Sequence, residues 1–94
     1  MIDNKQLKAL IKAVMALEDP KEAQAFLEDL CTPQELEDLC LRWKIVDELK
    51  KGYTYREIHD RTQASLTTIS RIAKALNYGS GGYEQMHARL NKND

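Results

Sequence analysis

The sequence has few of the residues that strands, disulfide frameworks or membrane spans require. Among 94 residues there are one Phe, one Trp and four Tyr, and β-branched residues form no alternating run, so no strand is predicted. No apolar run approaches the roughly 18–20 residues of a membrane span, and the N-terminus has no basic segment followed by an apolar one. Cys31 and Cys40 are too few for a disulfide framework. We expect a soluble, cytoplasmic protein.

The length and charge indicate one small globular domain over residues 1–94. Hydrophobic residues make up 43% and charged residues 31%, which excludes a disordered tail, and the formal net charge of −1 excludes a polycation. A chain this short buries only about 60–65% of the surface that its unfolded form exposes. Surface from a second chain would therefore complete its core.

Apolar residues recur at helical spacing in six segments. Four of these segments begin with a capping residue, which is Asp19, Thr32, Thr54 or Ser65. The predicted helices cover about 4–17, a segment from Pro20 that includes Leu30, Pro33 to about Lys50, about 54–62, Leu66 to about Asn77, and 83–90. The sequence predicts an all-α fold of six helices.

The third and longest predicted helix is apolar on more than one side. One stripe consists of Leu36, Leu39, Cys40, Trp43, Val46 and Leu49, whereas Leu41 and Ile45 lie elsewhere on the helix. Such a helix must be covered from more than one direction. We interpret it as a sign of a homodimer. The alternative is a helix buried centrally in a monomer.

Residues 54–77 have the spacing of a helix-turn-helix: a short helix, the turn Gln63-Ala64-Ser65 and a longer helix. Ile58 can meet Ile69 and Ile72 across the turn. The outward residues would be Thr67, Ser70, Arg71 and Lys74, whose polar and cationic groups suit phosphates and base edges, while Leu66 can touch a thymine methyl or pack inside. This pattern favours DNA binding.

The charge distribution agrees with that placement. Residues 54–78 carry four basic and two acidic groups, whereas the rest of the chain is acidic overall. Two positions depart from the usual pattern, because Gln63 stands where a glycine commonly adopts positive φ and His59 stands where a small residue usually lets the helices approach. The competing interpretation is that the motif only packs helices compactly.

The sequence resembles the Trp repressor superfamily over about residues 30–77. The resemblance is carried by Thr32-Pro33-Gln34-Glu35, by Arg42 to Leu49, by Arg56-Glu57-Ile58 and by Ala64 to Arg71. The segment from Leu76 to Tyr83 resembles the Trp-repressor-like proteins of Gram-positive bacteria. The resemblance implies an intertwined homodimer and a transcriptional regulator with two DNA-reading heads. It implies DNA contacts from Arg56, His59, Ser65, Leu66, Thr67 and Ser70. For His59 the alternative is an exposed helix residue that contacts nothing.

The resemblance also implies an effector pocket. In the tryptophan-sensing members the amino acid lies between two arginines, matched here by Arg42 and Arg71, with polar groups matched by Thr32 and Thr68. Ile72 replaces a glycine beside the indole, and a branched side chain takes volume that the ring needs. We expect that tryptophan is not the ligand or binds very weakly, and that any corepressor is another small molecule.

Other kinds of site find little support in the sequence. The candidates for a metal set have no spacing that places two ligands on one helical turn; they are Cys31, Cys40, His59 and His87. No arrangement of residues suggests catalysis, so we expect no enzyme. Two alternatives to a DNA-binding repressor stay open: a protein-interaction module that kept the fold, and a sensor for a small molecule other than tryptophan.

Overall fold

A computed structural model of the chain describes residues 1–92. Within that range the protein consists of α-helices without any strand, which confirms the all-α prediction. The six helices are α1 (Asn4–Met15), α2 (Pro20–Leu30), α3 (Pro33–Lys50), α4 (Tyr55–Thr62), α5 (Leu66–Tyr78) and α6 (Gly82–Leu90). The predicted ends differ by one or two residues, because α1 ends at Met15 rather than near Leu17 and α6 begins at Gly82. No helix among residues 1–92 combines the length and apolarity needed to cross a bilayer.

The chain divides into two compact units, residues 1–36 and a second unit that begins at Glu37. In the first unit, side chains satisfy the free N–H groups at helix starts. Asp3 accepts the N–H of Lys5 at 2.8 Å, and Asp19 accepts the N–H of Glu22 at 2.8 Å. No residue of α1 or α2 is buried. The apolar stripe of α1 is instead exposed, with relative accessibilities from 38% to 78%, and comprises Leu7, Leu10, Ile11, Val14 and Met15.

The second unit contains the buried core. Its members come from α3, α4, α5 and the turn between α4 and α5: Ile45, Val46, Ile58, Ala64, Ile69 and Ile72. Half-buried apolar side chains pack around this cluster, namely Leu41, Leu49, Tyr53, Leu76 and Tyr83. As predicted, Ile58 belongs to the same core cluster as Ile69 and Ile72.

The core buries only part of the apolar surface of α3. Ile45 and Val46 are fully buried, although the sequence assigned them to different faces. Leu39 and Trp43 remain 43% and 36% exposed. The helix therefore keeps an uncovered apolar surface in the single chain, and the homodimer stays a prediction.

Candidate nucleic-acid interface

The turn between α4 and α5 begins at Gln63, which adopts the left-handed conformation with φ 66° and ψ 7°. Its N–H donates to the carbonyl of His59 at 2.8 Å, and its side-chain Nε2 donates to the carbonyl of Asp60 at 3.0 Å. Among the described residues it is the only non-glycine with positive φ. A residue with a Cβ pays a steric cost in this region. The helix-turn-helix thus keeps its geometry without the usual glycine.

His59 does not hold α4 and α5 apart. The ring is half-buried, and its Nδ1 lies 2.7 Å from the carbonyl oxygen of Ala64 in the turn. The position that sequence reasoning treated as a steric obstacle is therefore occupied by a hydrogen-bonding group.

The α4 helix itself starts with a capping box, in which Thr54 and Glu57 satisfy each other's N–H groups.

The α5 helix has one buried and one exposed face. Ser65 caps it by accepting the N–H of Thr68 at 3.1 Å. Ile69 and Ile72 are buried, as predicted, and Ala73 is buried beside them. The exposed residues are those that the sequence placed outward, Thr67, Ser70, Arg71 and Lys74, together with Ser65, Leu66 and, on α4, Arg56. This surface, named here the α5 face, is polar and carries three cationic side chains.

An ion pair that sequence reasoning missed joins α4 to α3. Arg61 Nε donates to Glu48 Oε1 at 2.5 Å, and Glu48 is 3% exposed. The guanidinium also lies over the ring of Tyr53, 4.3 Å from its centroid. The hydrogen bond to Glu48 raises the pKa of Arg61. The one signal in the sequence was the spacing of Glu48, an acidic residue that lies three residues, about one helical turn, after the apolar Ile45.

A second set of polar contacts joins α6 to α3. His87 Nε2 lies 3.0 Å from Asp47 Oδ1, and Lys50 Nζ lies 2.7 Å from Glu84 Oε1. The hydrogen bonds from His87 and then Lys51 lower the pKa of Asp47. His87, one of the four metal candidates in the sequence, therefore contacts the carboxylate of Asp47 on α3.

A cavity of about 270 Å³ lies in the second unit, lined by Arg42, Thr68, Arg71, Ile72, Ala75 and Tyr83. It brings together three of the four residues predicted for an effector pocket. The fourth, Thr32, belongs to the first unit, where its hydroxyl oxygen accepts the N–H of Glu35 at 3.1 Å and caps α3. Ile72, the predicted departure from the family pattern, is part of the cavity wall.

In the part of the chain that the structure describes, the two cysteines that were candidates for a metal site belong to no cluster of metal-ligating side chains. Cys31 is half-buried and Cys40 exposed, and both are free thiols. Within residues 1–92, no three His, Cys, Asp or Glu side chains are placed to hold a metal ion.

Comparison with known proteins assigns the family. The profile of the Trp repressor protein family matches residues 5–91. The uncharacterized protein YerC of Bacillus subtilis (strain 168) is 37% identical over 90 residues, which cover 96% of this chain and 86% of that protein. A TrpR-like protein from Eubacterium eligens ATCC 27750 has a similar structure, with a TM-score of 0.88, 38% identity, and coverage of 94% of this chain and 91% of that one. A Trp repressor candidate from Staphylococcus aureus also has a TM-score of 0.88, with 35% identity and coverage of 95% and 89%. The chain belongs to the Trp repressor protein family.

Proposed function

We propose that this protein is a sequence-specific DNA-binding transcriptional regulator, a repressor, that acts as a homodimer of one Trp-repressor-like domain over residues 1–94. The observation that carries the proposal is the α5 face. Its polar and cationic side chains are exposed, while the opposite side of the same helix is buried against Ile58. A helix braced in this way can enter the major groove without disturbing its own core.

The proposed roles follow from the chemistry of each side chain. Thr67 and Ser70 offer hydroxyls to base edges, and Leu66, 47% exposed, suits a thymine methyl. The Ser65 hydroxyl and the three cationic side chains of the α5 face suit the phosphates of the DNA backbone. These backbone contacts come from Arg56, Ser65, Arg71 and Lys74.

The exposed apolar stripe of α1 supports the homodimer. Its five large side chains form a continuous helical stripe, and each of them is at least 38% exposed. Apolar surface of this kind is removed from water when a second copy covers it. Two copies would place two α5 faces at half-sites about 34–36 Å apart, which is one turn of DNA.

Selection from random double-stranded DNA tests the proposal. We expect one enriched motif with two half-sites, bound in the nanomolar range. With three cations per α5 face and two faces, Kd should rise about a thousandfold between about 50 and 200 mM salt. Replacement of Arg56 and Lys74 by Ala should abolish selection. The control replaces Lys5 and Lys8 of α1 by Ala, which removes the same amount of charge away from the α5 face. It should enrich the same DNA motif as the original protein.

Failure to enrich any sequence would contradict the proposal and favour the protein-interaction module. Retained selection by the Arg56 and Lys74 variant would contradict the assignment of the α5 face.

A second candidate function, effector sensing, is favoured by the cavity at Arg42 and Arg71. Two guanidinium groups and the hydroxyl of Thr68 suit a small carboxylate-bearing molecule. Such a ligand should raise Tm by mass action, and Arg42→Ala should remove the shift. The corepressor would not be tryptophan, since Ile72 is part of the wall. Micromolar or tighter L-tryptophan binding in isothermal titration would overturn that exclusion.

A further inference from the structure

His59 lies in the last turn of α4, and its ring bonds to the turn that leads into α5. We infer that His59 is a positioning residue: through Nδ1 it holds the turn and thereby sets the direction of α5, instead of contacting DNA itself. The inference rests on the proposed DNA-binding function. The evidence is the 2.7 Å distance from Nδ1 to the carbonyl oxygen of Ala64.

The contact determines which ring nitrogen carries the proton. A carbonyl oxygen only accepts hydrogen bonds, so Nδ1 must be the donor. In the neutral ring Nε2 is then an acceptor. A phosphate oxygen is also an acceptor, and the neutral ring therefore has no proton to offer it. The bond to Ala64, in contrast, persists in both the neutral and the charged ring, because Nδ1 is protonated in each.

Ala64 is held on both sides by side chains of α4. Its N–H donates to Thr62 Oγ1 at 3.2 Å, and that hydroxyl donates to the carbonyl of Ile58 at 2.7 Å. Its carbonyl accepts from His59. Ala64 is 6% exposed, and the next residue, Ser65, caps α5. The N–H and the carbonyl of Ala64 are thus both bonded to side chains of α4, one residue before the cap of α5.

The turn needs such support because Gln63 occupies the left-handed region. This conformation is unfavourable for a residue with a Cβ, and neighbouring bonds must maintain it. Any shift of Ala64 moves the first turn of α5, where Leu66 and Thr67 lie. Recognition groups have to be held to within about 0.5 Å of their productive positions. The contact between His59 and Ala64 therefore acts on DNA affinity through geometry.

Three substitutions separate positioning from contact. His59→Asn puts an amide nitrogen near the position of Nδ1 and retains a donor for Ala64. His59→Gln puts its amide nitrogen near the position of Nε2, where a DNA contact would be made. His59→Ala removes both. Kd for the selected DNA, the base preference at each position and Tm are measured for all three.

We expect His59→Ala to weaken binding about five- to tenfold per reading head and to flatten the base preference. His59→Asn should restore Kd to within about threefold of the original protein, whereas His59→Gln should bind as weakly as His59→Ala. The inference is overturned if His59→Asn binds as weakly as His59→Ala. It is also overturned if His59→Ala binds like the original protein, or if His59→Gln alone restores binding.

Nuclear magnetic resonance on the DNA-free protein keeps this test independent of the proposed function. The ¹⁵N shifts of the neutral ring should show the proton on Nδ1. Amide exchange at Ala64, Thr68 and Ile69, whose N–H groups have hydrogen-bond acceptors, should be slow in the original protein and His59→Asn, and fast in His59→Ala. A protein that selects no DNA sequence would contradict the proposed function, while a ring with its proton on Nε2 would contradict the role of His59.

Discussion

Arg61 of α4 donates to Glu48 of α3 at 2.5 Å, and this pair fixes the first helix of the helix-turn-helix to the longest helix of the chain. The two partners differ in exposure, with Glu48 at 3% and Arg61 at 49%. Removal of the arginine would leave a buried carboxylate without its cation, which costs more than the pair itself contributes. The pair therefore constrains where α4 can lie.

Arg61→Ala should lower Tm by about 5–10 °C, because it leaves the Glu48 carboxylate unpaired. Differential scanning calorimetry at fixed protein concentration measures the change. Arg89→Ala, on the exposed side of α6, removes an arginine elsewhere and should melt like the original protein. The double variant with Glu48→Leu and Arg61→Met should recover most of the loss. Equal Tm values for Arg61→Ala and Arg89→Ala would show that the pair contributes nothing.

Gln63→Gly should be more stable than Gln63→Ala by about 1 kcal/mol. Both variants lose the hydrogen bond from Gln63 Nε2 to Asp60, so their difference isolates the cost of a Cβ at φ 66°. Urea unfolding of the two variants measures it. A glycine variant less stable than the alanine variant would contradict the left-handed turn.

The capping box of α4 should make stability fall in acid. The N–H of Thr54 donates to Glu57 and lowers the pKa of that carboxyl below its ordinary 4.5. A lowered carboxyl pKa stabilises the fold above the ordinary value, and this contribution is lost as the pH falls through the folded-state value.

Glu57→Gln should therefore be less stable than the original protein near pH 7, and the gap should narrow as the pH falls below the ordinary carboxyl value of 4.5. Urea unfolding across this range measures the gap, and the NMR titration of the Glu57 carboxyl should have its midpoint below 4.5. A gap that is independent of pH would contradict the role of the charge.

Ile11→Lys should disrupt the proposed homodimer, because it puts a charge into the apolar stripe of α1. Ile11 is 49% exposed, so the single chain should tolerate the change. Sedimentation velocity should show two copies for the original protein and one for the variant. Lys12→Glu, in the same turn but outside the stripe, is the matched control. An original protein that sediments as one copy would contradict the homodimer.

Thr67→Ala and Lys74→Ala should affect DNA binding differently. Loss of the Thr67 hydroxyl should relax base preference at one position in each half-site. Loss of Lys74 should weaken binding to all DNA sequences alike. It should also reduce the slope of log Kd against log salt concentration by about 2, one for each reading head. Competition binding against single-base variants of the selected DNA distinguishes the two. A uniform loss in Thr67→Ala would move this residue from base reading to backbone contact.

The sequence determined the helices and the order of the motif. Caps such as Thr54 with Glu57 join residues three apart, so neighbouring letters of the sequence are sufficient to predict them. The spacing of Ile58, Ile69 and Ile72 likewise set the buried side of α5, and with it the exposed residues proposed to meet DNA. Local hydrogen bonds and helical periodicity carry this information because their partners lie within a few residues.

The tertiary structure alone decided which distant groups meet. Glu48 and Arg61 are 13 residues apart, and Asp47 and His87 are 40 apart. No periodicity connects such positions, since their contact depends on the path of the whole chain. The same holds for α3, where packing of the core buries Ile45 and Val46 and leaves Trp43 36% exposed. The conformation of Gln63 and the bond of His59 to Ala64 were also open in the sequence, because the close packing of α4 against α5 fixes them.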